Sequence, residues 1–98
     1  MQWNELRNEI EDIIREKSST LGLTVVFDVN FIENAPIDGE YIYGEAFPEK
    51  NRIWLEVVAP DISMDEITET ICHELIHLKF PNINHNSPMF NALVSTLL

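Results

Sequence analysis

Residues 64–79 constrain this chain most, because they carry the start, the stop and both faces of a helix in their own sequence. Ser63 followed by Glu66 makes an S-x-x-E capping pattern, Asp65 and Glu66 place negative charge at the positive end of the helix dipole, and Phe80-Pro81 ends the run. At about 100° per residue, Met64, Ile67, Ile71, Leu75 and Leu78 share one arc of about 80°. His73 and His77 fall nearly opposite. One face is therefore expected to pack on a core and the other to border a cleft.

The second face spells His73-Glu74-Leu75-Ile76-His77, an H-E-x-x-H pattern. Imidazoles four residues apart stand one above the other on a helix, so both reach a single zinc ion at about 2.0–2.1 Å, with the carboxylate between them beside a water it can deprotonate. The chemistry implied is that of a zinc-dependent hydrolase, most simply a peptidase. A catalytic zinc takes a third protein ligand and keeps a fourth position open. His85 is the candidate: it is the remaining histidine of three, and it lies just past the helix stop in Pro81-Asn82-Ile83-Asn84-His85-Asn86. No Asp or Glu follows Glu74, which removes a later carboxylate ligand, and Glu66 lies two turns before His73, too far along a straight helix to share its ion. The plain alternative is a solvated helix face and an exposed loop histidine.

The run His73-Glu74-Leu75-Ile76-His77-Leu78, a short loop, and then His85 with Ser87-Pro88-Met89-Phe90 resembles the signature of the SprT-like and YgjP-like minimal zincins. In those proteins a histidine in an N-H-S-P-x-F-like segment is the third zinc ligand, a role the resemblance assigns to His85. The layout is also similar to the minigluzincins, stand-alone metallopeptidase domains of about this length, whose downstream glutamate ligand this chain lacks. It differs too in a longer gap between His77 and His85 and in Asn86 standing before Ser87. The match is best over residues 67–94.

A chain of 98 residues is expected to form one domain, residues 1–98, burying roughly 60–65% of its unfolded surface. No apolar run spans a bilayer and no charged-then-apolar leader opens the sequence, so a soluble, cytoplasmic protein is expected. The single cysteine, Cys72, has no partner for an internal disulfide, as suits a reducing compartment, and it reads as a buried small hydrophobe. A net charge of −11 repels phosphate backbones and anionic lipid, which argues against nucleic acid and membrane surfaces as partners.

Along the chain, Trp3, Leu6, Ile10, Ile13 and Ile14 form a helical stripe over residues 2–17, with Leu21-Gly22 as a stop. Thr24 to Ile32 alternates Val25, Phe27, Val29 and Phe31 on one face of a strand. A loop through Pro36 and Asp38-Gly39 follows. Tyr41 to Phe47 and Arg52 to Ala59 read as an antiparallel hairpin turning at residues 48–51, the second strand apolar and central, the first an edge bordering the cleft. Ser87 and Pro88 open a final helix with Phe90, Leu93, Val94 and Leu97 inward. The fold expected is α+β and zincin-like, in the order α-β-β-β-α-α, with a small three-stranded sheet packed on a backing helix and the zinc-binding helix.

In the expected site, His73, His77 and His85 hold Zn²⁺ and Glu74 is the general base, taking a proton from water and returning it to the departing amine. Tyr41, Tyr43 and Gly44 are the candidates for oxyanion or substrate contacts. The expected partner is a peptide or unfolded protein laid along the edge strand, and the expected state a monomer or homodimer. Two other classes fit the same residues: a non-catalytic or latent zinc module that sequesters a protein partner, and a zinc-dependent RNA hydrolase like the small ribosomal-RNA maturation proteins. From Phe80 to Leu98 there is no Asp, Glu, Lys or Arg. Such a tail packs into the core, restrains the cleft, or meets a second chain.

Overall fold

The computed structural model describes residues 3–32, 42–58 and 62–98. Among these residues the elements run helix α1 (Trp3–Leu21), strand β1 (Val26–Phe31), strand β2 (Ile42–Phe47), strand β3 (Arg52–Val57), helix α2 (Met64–Lys79) and helix α3 (Pro88–Leu97). This is the expected α+β order α-β-β-β-α-α. The loop through Pro36 and Gly39, Tyr41 at the head of the expected second strand, and Ala59 at the end of the third lie outside the described residues.

Helix α1 continues beyond its apolar stripe through Ser18, Ser19 and Thr20 and ends at Leu21, at the expected Leu21-Gly22 stop, which is a backbone device. The Leu23 N–H donates to the Ser18 carbonyl (2.9 Å) and the Gly22 N–H to the Ser19 carbonyl (3.0 Å), with Gly22 at φ +71°. That paired closure takes a left-handed residue at its turn, which glycine adopts without a Cβ penalty.

The sheet order is β1-β3-β2, so β3 is central as its apolar sequence suggests. Strands β2 and β3 pair antiparallel through a short 3₁₀ turn at Pro48–Lys50, closed by Asn51 at φ 52°, and the Asn51 side chain donates to the Thr24 carbonyl (2.9 Å). Asparagine tolerates that left-handed conformation. Strand β1 joins the other side of β3 in parallel. Ile53, Leu55 and Val57 of β3 are buried, while Arg52, Trp54 and Glu56 between them are half-buried on the outer face. The register gives Ile42, Gly44 and Ala46 of β2 the same inner face.

Against that face lie Leu6, Ile10 and Ile14 of α1 and Ile67, Ile71 and Leu75 of α2, all essentially without exposure. Each such side chain contributes roughly 1.5–3 kcal/mol by leaving water. Helix α2 starts and ends where its sequence signals say: the Ser63 hydroxyl accepts from the Glu66 N–H (3.2 Å), and Phe80 is the C-cap. Its buried surface is wider than one apolar arc, extending to Cys72, Glu74 and Ile76, because α2 packs against β2, α1 and α3 at once. No helix among the described residues is long and apolar enough to cross a membrane.

Candidate metal centre

The helical repeat brings His73 and His77 together as their spacing requires. Their Nε2 atoms stand 3.1 Å apart and their rings meet edge-on, with centroids 4.7 Å apart and planes at 76°. Two nitrogens at about 2.0–2.1 Å from one tetrahedral ion would be separated by about 3.3 Å, so the pair already has close to the ligating distance. The ligand atoms of His73, Glu74 and His77 all lie within 4.8 Å of one another.

His85 comes to this corner from the loop. Phe80 ends α2, the Ser87 N–H donates to the Asn84 carbonyl (2.9 Å), and the Asn84 side chain accepts from the Asn86 N–H (2.9 Å). Asparagine closing its own turn in this way is ordinary loop chemistry, and here the turn carries His85. The His85 ring is exposed and stands outside the tight group, with centroids 6.3 Å from His73 and 5.9 Å from His77. Three imidazoles sharing one ion would have centroids about 5 Å apart, so the exposed His85 ring stands about 1 Å beyond that spacing. The donor set fits a zinc ion.

Two residues after His85 the chain caps α3: the Ser87 hydroxyl accepts from the Phe90 N–H (3.2 Å), and Pro88 supplies the first helical position. Phe90 is fully buried, its ring centroid 4.9 Å from that of His73 and 4.5 Å from that of His77. It forms an apolar wall against both imidazoles. Phe90, Val94 and Leu97 are buried, which is the packing reading of the uncharged tail; Lys17 of α1 donates to the Leu97 carbonyl (2.9 Å) and ties the end of α3 to α1.

Burial sets the electrostatics. It lowers the pKa of both His73 and His77, and the neighbouring histidines lower it further, so the neutral, ligating form of each ring is favoured. Burial also raises the Glu74 carboxyl to about 7, with the Glu45 carboxylate adding to the shift. Cys72 beside them is fully buried and its thiol is pushed up by that burial, as expected of a packed hydrophobe.

Of the residues considered for oxyanion or substrate contacts, Gly44 borders the Glu74 side chain. Strand alternation places Tyr43 on the other face of the sheet, opposite Glu56, and Tyr41 lies outside the described residues. The sequence reading did not assemble the groove of about 260 Å³ between β2 and α2, lined by Ile42, Glu66, Glu69, Thr70 and His73. Its signal was present in the spacing of Glu66, Glu69 and Thr70, seven, four and three residues before His73 on one helical side. A larger depression, about 390 Å³, lies on the outer sheet face among Asp28, Phe47, Arg52 and Trp54, away from the histidines.

No protein-family model matches the sequence, and no curated protein is significantly similar to it. Among solved structures, the chain is similar to the crystal structure of the metallopeptidase zymogen of Pyrococcus abyssi abylysin. The two share 22% identity with a TM-score of 0.58, over 88% of this chain and 76% of that one. At that identity the likeness is one of fold.

Proposed function

We propose that this protein is a zinc metallopeptidase in which His73, His77 and His85 hold the ion and Glu74 is the general base. The observation that carries the reading is the convergence of the His73 and His77 Nε2 atoms to 3.1 Å with the buried Glu74 carboxyl in the same group. The fold of a metallopeptidase zymogen supports it. When bound, zinc supplies a Lewis acid that polarises a carbonyl and lowers the pKa of water from 15.7 towards about 7.

The rest of the chemistry belongs to the chain. Phe90 packs against the two helical imidazoles, and the burial that keeps them neutral leaves each ring a nitrogen lone pair for the ion. Glu74, with its carboxyl near 7, is matched to taking a proton from water and handing it to a leaving amine at neutral pH. Among the described residues strand β2 is an edge of the sheet and packs beside α2, a position at which an extended peptide could add as a further strand and lie across the site. The net charge of −11 favours a peptide over a phosphate backbone as substrate.

The test compares the zinc-loaded wild type with Glu74→Gln on an unfolded protein substrate. Glu74→Gln is expected to keep its zinc and to lose about 10²–10⁴-fold in turnover. Equal turnover by the two proteins overturns the assignment of Glu74. A zinc-loaded wild type that cleaves no peptide bond overturns the peptidase reading and leaves a non-catalytic zinc module.

A further inference from the structure

Gly44 occupies the interior of strand β2, where a glycine weakens a strand: it packs nothing and gives the unfolded chain more freedom to lose. Such a glycine is often explained by a backbone that other residues avoid. Gly44 has no such backbone, for among the described glycines the left-handed conformation belongs to Gly22. What it has is a neighbour. A Cβ built on Gly44 would stand 2.7 Å from Glu74 Oε2, 2.9 Å from Glu74 Cγ and 3.2 Å from Glu74 Cδ. The two carbon distances are inside the ordinary contact of about 3.5–4.0 Å between carbon atoms, and the oxygen stands closer still. All three atoms also belong to one side chain, from an element 30 residues further along the sequence (74 − 44).

Glu74 has little room to yield. It is 7% exposed, and its helix is held on its other sides by Ile71, Cys72 and Leu75, each with no exposure. The H-E-x-x-H spacing fixes the Glu74 backbone relative to the two histidines, but it leaves the side-chain torsions free. The strand supplies what the helix does not.

We propose that Gly44 is a positioning residue: the space left by its missing side chain is the slot that seats the Glu74 carboxylate beside the His73 and His77 imidazoles. Any side chain at position 44 drives that carboxylate to another rotamer while leaving the histidines where they are. The importance of the slot for turnover rests on the proposed role of Glu74; the slot itself does not. A displacement of 1 Å in a reacting group costs about 10²-fold in rate.

The experiment is a double-mutant cycle on the full chain: wild type, Gly44→Ala, Glu74→Ala, and the two combined. Thermal unfolding of the metal-free proteins, zinc affinity, and turnover on a peptide are measured for each. Gly44→Ala alone is expected to lower the melting temperature. In the Glu74→Ala background, where the three obstructing atoms are gone, the same change is expected to be neutral or to raise it, since alanine then simply replaces a strand glycine. Gly44→Ala is further expected to bind zinc as the wild type does and to lose about 10²-fold in kcat with little change in KM. An equal change in melting temperature in both backgrounds overturns the slot. Loss of zinc affinity in Gly44→Ala overturns it too, because the substitution would then act on the whole site, and so does full turnover in that variant. Should the wild type hydrolyse no peptide, the proposed function fails while the thermal cycle still decides the slot.

Discussion

Two groups of polar side chains lie on opposite sides of the sheet, and they are built on opposite principles. On the outer face Arg52 of β3 meets Asp28 of β1 in a two-pronged pair at 2.7 and 3.3 Å, each side chain 42% exposed. On the inner side His73, Glu74 and His77 gather with no salt bridge among the described residues, and the hydrogen-bond contact within the group runs Nε2 to Nε2. The outer pair satisfies its own charges in water. In the inner group burial moves every member towards neutrality, the histidines downward and the glutamate upward. Polar groups kept neutral by burial cost stability, and a cation that accepts their lone pairs offsets that cost. The difference separates a pair whose charges answer each other from a group whose lone pairs could hold a metal ion.

The sharpest way to break this comparison is to remove ligands. His73→Ala and His77→Ala should each weaken zinc binding by more than the roughly 10–100-fold that losing a residue hydrogen-bonded to a ligand costs, as read by competition with a metal indicator. Arg52→Ala should leave that affinity unchanged. A loss as large in Arg52→Ala would mean that the two sides of the sheet are not independent.

A second test follows the inner group by pH in the metal-free protein. The Glu74 carboxyl rises from 4.5 to about 7 on folding, so between those values the folded state holds a proton that the unfolded state has released. The stability contributed there is present at low pH and is lost as pH rises through the window, by up to about 3 kcal/mol at 1.36 kcal/mol per unit. Glu74→Gln cannot titrate. Its unfolding free energy relative to wild type should therefore increase from pH 5 to pH 8. The histidines act with the opposite sign: their lowered values withdraw stability as pH falls through the ordinary histidine range, equally in both proteins, so they cancel in the difference. A difference that is flat with pH would show that Glu74 is not held in a desolvated site.

The smallest effect belongs to the outer pair. Half-exposed ion pairs contribute about 0–1 kcal/mol, so Asp28→Asn should cost no more than that in a denaturant titration, and less at high salt. A cost of several kcal/mol would place this pair among the groups that fix strand order.

Elements whose limits are written locally were legible. Ser63 and Phe80-Pro81 bound α2 at Met64 and Lys79, and Ser87-Pro88 opens α3, because caps act within one turn of the residue that makes them. Among the described residues, the edge position of β2 and the central position of β3 followed from their different polarity. The parallel pairing of β1 with β3 was not legible, since no tight turn joins the two strands and nothing local announces it. Helix α1 runs past its apolar stripe to the Leu21-Gly22 stop, which was legible because the Gly22 closure acts locally. In the site, the His73 and His77 pair follows from helical spacing alone. The Gly44 contact with Glu74 does not, because it depends on how far a strand sits from a helix. Phe90 was expected inward, but its place beneath both imidazoles is set by the turn at Asn84.

The most direct test of the central claim, that these residues form a three-histidine zinc site, is X-ray absorption at the zinc edge on the loaded wild type beside His85→Ala. The account predicts one zinc per chain with three imidazole nitrogens at about 2.0–2.1 Å and one oxygen, and one imidazole fewer in His85→Ala. A sulfur ligand at about 2.3 Å, which would implicate the buried Cys72, or an identical spectrum from the two proteins, would contradict it.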